Sequence, residues 1–155
     1  MPSLNSVVKH SLLTGAVASA TTALATAALG KAEINNAVAP LNAVSHIPWG
    51  ERAAAEDAAS AKFTLTGILL NSAAVTGWAG IHELLFGRYL DRGNLTGALL
   101  GGAATSTLAF VTDYYIVPKR FTPGFEKRLS NASLLGIYSV LALSLALGRA
   151  AFRDR

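Results

Sequence analysis

The chain has 155 residues, of which 52% are hydrophobic and 14% charged, with no cysteine and a formal net charge of +4. A charged fraction well below the roughly one quarter usual in soluble domains argues against a water-soluble globule, and the lack of cysteine excludes disulfides, thiolate nucleophiles and cysteine metal sites. The thirteen Lys and Arg residues are scattered at the ends of apolar stretches, a pattern suited to lipid headgroups and unlike a nucleic-acid surface.

Residues 11–30, 63–81, 93–112 and 129–148 contain no Asp, Glu, Lys, Arg or His. At a rise of about 1.5 Å per residue, some 20 residues cover the roughly 30 Å hydrocarbon layer of a bilayer. The pattern predicts one all-α domain: an integral membrane bundle of four transmembrane helices over about 11–30, 63–86, 95–117 and 129–148. An interfacial or re-entrant segment, 31–62, joins the first two spans.

The first span follows Lys9 and His10. Fifteen of the residues in 11–30 are Ala, Thr, Ser or Gly, so this helix is expected to be the one most enclosed by protein. Gly15, Ser19, Ala23 and Ala27 recur every fourth position, a smooth stripe on which another helix can approach closely. Ala18-Ser19-Ala20 has the look of a signal-peptide cleavage site, but the small-residue run continues past it, so the segment is expected to stay as a span.

In the long connection, Ile34 to Ile47 is mildly apolar but interrupted by Asn35, Asn36, Pro40 and Asn42. It is too short to span and ends at His46-Ile47-Pro48-Trp49-Gly50, where Trp49 is expected at headgroup level. Glu51 to Lys62 is alanine-rich, carries acid in its first turns and has Arg52 four residues before Glu56. It predicts a helix running straight into the second span.

The second span carries Asn71, Trp78, His82 and Glu83, and Gly87 to Asn94 turns the chain back. The third opens with the close-packing pair Gly97 and Gly101, reaches Asp113-Tyr114-Tyr115 and stops by Pro118. Lys119, Arg120, Phe121, Phe125, Lys127 and Arg128 then form a turn suited to anchoring at anionic headgroups. After the fourth span come Arg149, Arg153 and Arg155.

Lys9, Arg88, Arg92, Arg149, Arg153 and Arg155 share the face with both termini; Lys31, Arg52, Lys62, Lys119, Arg120, Lys127 and Arg128 share the opposite, loop face. Such nearly equal counts choose no orientation and leave dual topology open.

Depth counting sorts the polar groups into two sets. Asp113, Asn71 and Tyr138 belong to the loop-face half, level with His46, and are candidates for a polar path. The alternative is that Asp113 pairs with Lys62 or Arg120 and only fixes helix register. His82 and Glu83 lie at the other end, level with His10, as proton-relay candidates or simple interfacial anchors, with Glu83 bridged to Arg88 or Arg149.

The segment Asp113-Tyr114-Tyr115-Ile116-Val117-Pro118-Lys119-Arg120-Phe121-Thr122-Pro123-Gly124-Phe125-Glu126 resembles small uncharacterised inner-membrane proteins of proteobacteria. The resemblance covers about a tenth of the chain and implies a bacterial cytoplasmic membrane, with no activity attached.

These features predict a homo-oligomeric membrane protein that moves a small solute or ion past Asp113, Asn71 and Tyr138. The competing reading is a non-transporting accessory subunit of a larger membrane complex. A third, from His10 and His82, is an intramembrane haem carrier or enzyme. No metal or resident cofactor is expected, and the expected partners are membrane lipids and further copies of the chain.

Overall fold

A computed structural model describes residues 4–148. Arg149, Arg153 and Arg155, assigned above to the face with the termini, lie outside the described residues. The described chain is all-helical, with no strand. Four long helices dominate: α1 (Leu4–Ile34), α5 (Thr66–Asp91), α6 (Leu95–Val111) and α7 (Asn131–Leu147). Between α1 and α5 lie three short helices, α2 (Ala39–Val44), α3 (His46–Trp49) and α4 (Glu51–Ala54).

Local chemistry sets the helix starts. The Ser60 side chain accepts from the Phe63 amide at 3.0 Å while Thr64 Oγ1 accepts from the Ser60 amide at 2.9 Å, a reciprocal cap that starts the turn leading into α5. Asn94 caps α6 by accepting from Gly97 N, and Ser130 caps α7 by accepting from Ser133 N. At its far end α1 stops at Asn35, whose φ of 53° is a left-handed conformation that asparagine tolerates better than most residues.

The long helices form a ring in which α1 touches α5 and α7, and α6 touches the same two. Every adjacent pair is antiparallel, since numbers rise on one helix as they fall on the other. Along α1 and α5, Gly15 faces Thr76, Ser19 Oγ donates to Ser72 O and Asn71 Nδ2 donates to Thr22 Oγ1. Between α5 and α6, Gly97 lies under Tyr89 and Gly101 under Phe86. Between α6 and α7, Gly102 faces the Ala142 carbonyl and Ser106 Oγ donates to Tyr138 O at 2.6 Å. Thr21 and Ser144 join α1 to α7 at 2.7 Å.

The small residues therefore do serve close packing, but within one chain. Gly15, Ser19, Gly97 and Gly101 meet neighbouring helices of the same molecule, and Ala23 is half-buried beside them. Their stripes give no argument for self-association. Nor is α1 more enclosed than α6. Leu4–Ile34 and Leu95–Ile116 are both long and apolar enough to cross a membrane, and 33% of the apolar stretch is buried in each. Asn131–Leu147 is apolar but shorter.

The connection differs most from expectation. All six residues of α2 are buried, and the helix wedges against α1 and α5. Glycines make the room: a methyl group on Gly67 would strike the Leu41 carbonyl, and one on Gly30 would strike Pro40. The helix expected from Glu51 into the second span stops at Ala54 and restarts only after Ser60. Side chains of the connection hold the non-helical backbone between them: Asn42 Nδ2 donates to both Glu56 O and Ala58 O at 2.9 Å, and Asn36 Nδ2 donates to Asp57 O at 3.1 Å. Glu56, which the sequence paired with Arg52, instead accepts from the Ala58 amide.

Candidate functional site

The end of α6 widens into a π-helical turn, Thr112–Ile116, closed by Val117 N donating to Thr112 O at 2.9 Å. Such wide turns shift side chains out of the ordinary helical register and recur at functional sites. Here the turn carries Asp113 and Tyr114. Tyr138, reaching across from α7, donates its hydroxyl to Asp113 Oδ2 at 2.6 Å. Phe110, Tyr114 and Tyr138 form an aromatic cluster around this bond, with ring centroids 5.1 to 6.0 Å apart.

Asp113 borders a cavity of about 250 Å³ inside the loop-face half of the bundle. Asn71 and Thr22, joined by their hydrogen bond, supply its other polar wall, while Trp78, Phe121 and Phe125 contribute rings. Of the lining residues, Phe121 and Ala74 are exposed. Inward, the fully buried Ala18, Ala79 and Leu145 pack together and close the bundle. Tyr138 also lines a second hollow, about 290 Å³, between α6 and α7, so its ring stands between the two spaces.

Three of the four residues assigned to the polar path thus share one cavity: Asp113, Asn71 and Tyr138. His46 does not line it. Its ring is buried under the α2–α3 turn, with Nδ1 2.8 Å from Ala43 O and the Gly124 backbone packed over it. The cations suggested as partners for Asp113 are engaged elsewhere. Lys62 lies over the Trp49 ring at 4.9 Å, and Arg120 donates to Ile47 O.

The basic turn also differs from a free headgroup anchor. Phe125 is only 3% exposed and packs with Val44, Leu129, Leu134 and Ile137, because the left-handed Gly124, at φ 90°, turns it inward. Lys127 pairs with Glu51 at 2.8 Å and Arg128 pairs with Asp57, so both cations pin the turn to the α2–α5 connection. The hydrogen bond from Lys127 holds the Glu51 carboxyl below its ordinary range. Trp49, Lys119, Arg120 and Phe121 do remain exposed.

Sequence reasoning missed Glu126. Its Oε1 accepts from Thr122 Oγ1 at 2.5 Å, which ties the acid to its own turn. Among Lys119, Arg120, Lys127 and Arg128 it reads as a neutralised loop acid; only the four-residue step from Thr122 hinted that it turns inward.

At the other end, His82 and Glu83 are both buried, at 1% and 4% exposure, but on different flanks of α5. Glu83 faces α1, its Oε1 3.2 Å from His10 Nδ1, and Arg149, one of the two cations the sequence offered it, lies outside the described residues. His82 faces α6, with Nδ1 3.2 Å from Thr105 Oγ1. His10 and His82 therefore do not oppose each other across a shared space, which removes the geometry an axial haem pair requires. Among the described residues no group of three or more His, Asp or Glu side chains is placed to hold a metal ion. No known protein family, curated protein or solved structure matches the chain.

Proposed function

We propose that this chain is a multi-pass protein of the bacterial inner membrane that takes a small solute or ion into the cavity beside Asp113 and passes it across the bilayer. The membrane part of the reading is supported by an inverted distribution of side chains. Leu12, Leu24, Leu84, Leu100 and Leu135 are more than half exposed, whereas Thr14, Thr22, Thr26, Asn42 and Thr105 are almost wholly buried. Water would penalise both halves of that arrangement; lipid favours both. The multi-pass part rests on the antiparallel packing of the long helices, of which Leu4–Ile34 and Leu95–Ile116 are long and apolar enough to cross, and the inner-membrane part on the Asp113–Glu126 segment.

The observation that carries the transport reading is the cavity itself. An ionisable side chain within a membrane bundle is costly and characteristically marks a pathway for ions or substrates. Asp113 borders this space, and Val75, Tyr138 and Leu141 of its lining also pack with the fully buried Ala18, Ala79 and Leu145. Passage across the bilayer then requires helix shifts that open that packed layer.

The test is flux in reconstituted liposomes. Swelling in iso-osmotic methylammonium chloride, potassium acetate or glycerol, together with proton entry reported by trapped pyranine, should exceed that of protein-free vesicles for at least one probe. Asp113→Asn should abolish the excess while the purified protein keeps its helical content. If no probe moves faster with protein present, and Asp113→Asn lowers only thermal stability, the Tyr138–Asp113 bond is a helix tie and the accessory-subunit reading replaces this one.

A further inference from the structure

We infer that the occupant of the cavity is a small hydrophobic ammonium ion, seated with its charge at Asp113 and its apolar body among the aromatic walls. This rests on the cavity reading above and names the chemical class that the cavity fits.

The walls supply the first argument. Trp78, Phe121, Phe125 and Tyr138 line the cavity together with Leu70 and Ile137. Aromatic rings present electron-rich faces, and several of them around one space form the kind of cage that binds alkylated ammonium groups. A strongly hydrated cation would lose its water shell to walls that offer few oxygens in return, and the absence of a multidentate acid or histidine cluster among the described residues argues against a divalent metal.

Charge supplies the second. Asp113 borders the cavity and has no ion-pair partner among the described residues. The neighbouring cations are already committed: Lys127 to Glu51, Arg128 to Asp57, Lys62 to the Trp49 ring and Arg120 to the Ile47 carbonyl. A carboxylate in apolar surroundings is disfavoured unless it gains a proton or a counter-charge. A cation with an apolar body satisfies the acid and the walls together, whereas an anion would meet repulsion and a neutral solute would leave the acid uncompensated.

Size supplies the third. A space of about 250 Å³ lies below the range typical of drug-sized ligands and suits a single ring bearing a small ammonium head.

Trp78 makes the inference measurable, because the chain has two tryptophans and the other, Trp49, lies outside the cavity wall. In the Trp49→Phe background, the full chain in lipid nanodiscs is titrated with benzyltrimethylammonium and with neopentylbenzene, its uncharged isostere, while Trp78 emission is followed. The ammonium probe should give a saturable change and bind at least about tenfold more tightly than the isostere. Asp113→Asn keeps an acceptor for the Tyr138 hydroxyl and should weaken the ammonium probe about tenfold while leaving the isostere unchanged.

Equal binding of the two probes, or ammonium binding that Asp113→Asn does not weaken, overturns the ammonium assignment while leaving the cavity as a ligand site. No saturable change with either probe overturns both the assignment and the cavity reading on which it rests.

Discussion

Asn42 shows how much one polar side chain can organise. It is fully buried, donates to the Glu56 and Ala58 carbonyls and accepts from Thr64 Oγ1 at 2.6 Å. Its amide thereby fixes both the break after α4 and the cap that starts α5. Truncation would remove the buried amide that pairs with two carbonyls and a hydroxyl, so Asn42→Ala should lower stability by about 2 kcal/mol. Thermal unfolding in detergent, followed by circular dichroism, checks this; an unchanged midpoint would mean that the three groups find other partners. Asn42→Asp should be no remedy, because a carboxylate lacks the two N–H donors that the carbonyls require. In the sequence Asn42 was visible only as an interruption of an apolar stretch. Its three partners lie 14, 16 and 22 residues away, beyond the reach of any local pattern.

Elements are held together by contacts that run against intrinsic propensity. Gly67 sits in the first turn of α5, where alanine would ordinarily favour a helix by up to about 1 kcal/mol. A methyl group there would strike the Leu41 carbonyl of α2, so Gly67→Ala should destabilise instead. The same substitution at Gly77, which has open space around it, should be neutral or stabilising. The opposite signs, read as shifts in the same thermal assay, test whether α2 is wedged as described. At the other end of α1, Glu33 accepts from the Ser130 amide at 2.7 Å and from the hydroxyls of Ser130 and Ser133, so one helix supplies an acid to the N-terminus of another. The hydrogen bond from Ser133, with those from Ser130, holds the Glu33 carboxyl below its ordinary 4.5. The folded state then binds the proton less tightly than the unfolded chain. The contact's contribution to stability is therefore complete above the ordinary value and is lost as pH falls through the lowered one. Glu33→Gln should flatten the fall in thermal midpoint between pH 5 and pH 3, measured against the parent protein.

For the whole molecule, the decisive property is the inverted surface. Leu108 lies near the middle of Leu95–Ile116 and is 46% exposed. On a water-facing surface Leu108→Lys would be harmless; on a lipid-facing one it should oppose insertion by about 3 kcal/mol. Membrane-fraction yield after alkaline extraction reads the difference, and an undiminished yield would argue against that face meeting lipid. Much of this level was legible in the chain itself. The spacing of charges located the four long helices, although α1, at 31 residues, and α5, ending at Asp91, run past the expected spans, and depth counting placed Asp113, Asn71 and Tyr138 at one level, where a single cavity joins them. Both follow from a fixed rise per residue, which converts position along a helix directly into depth. What only the tertiary structure decided is which neighbour each group meets. Lys127 and Glu51, 76 residues apart, neutralise each other; Phe125 turns inward; and Glu126 accepts from Thr122 instead of pairing with the cations beside it in the chain. Rise along an axis is a local property of the backbone, whereas rotation about that axis and pairing between loops depend on contacts between distant segments.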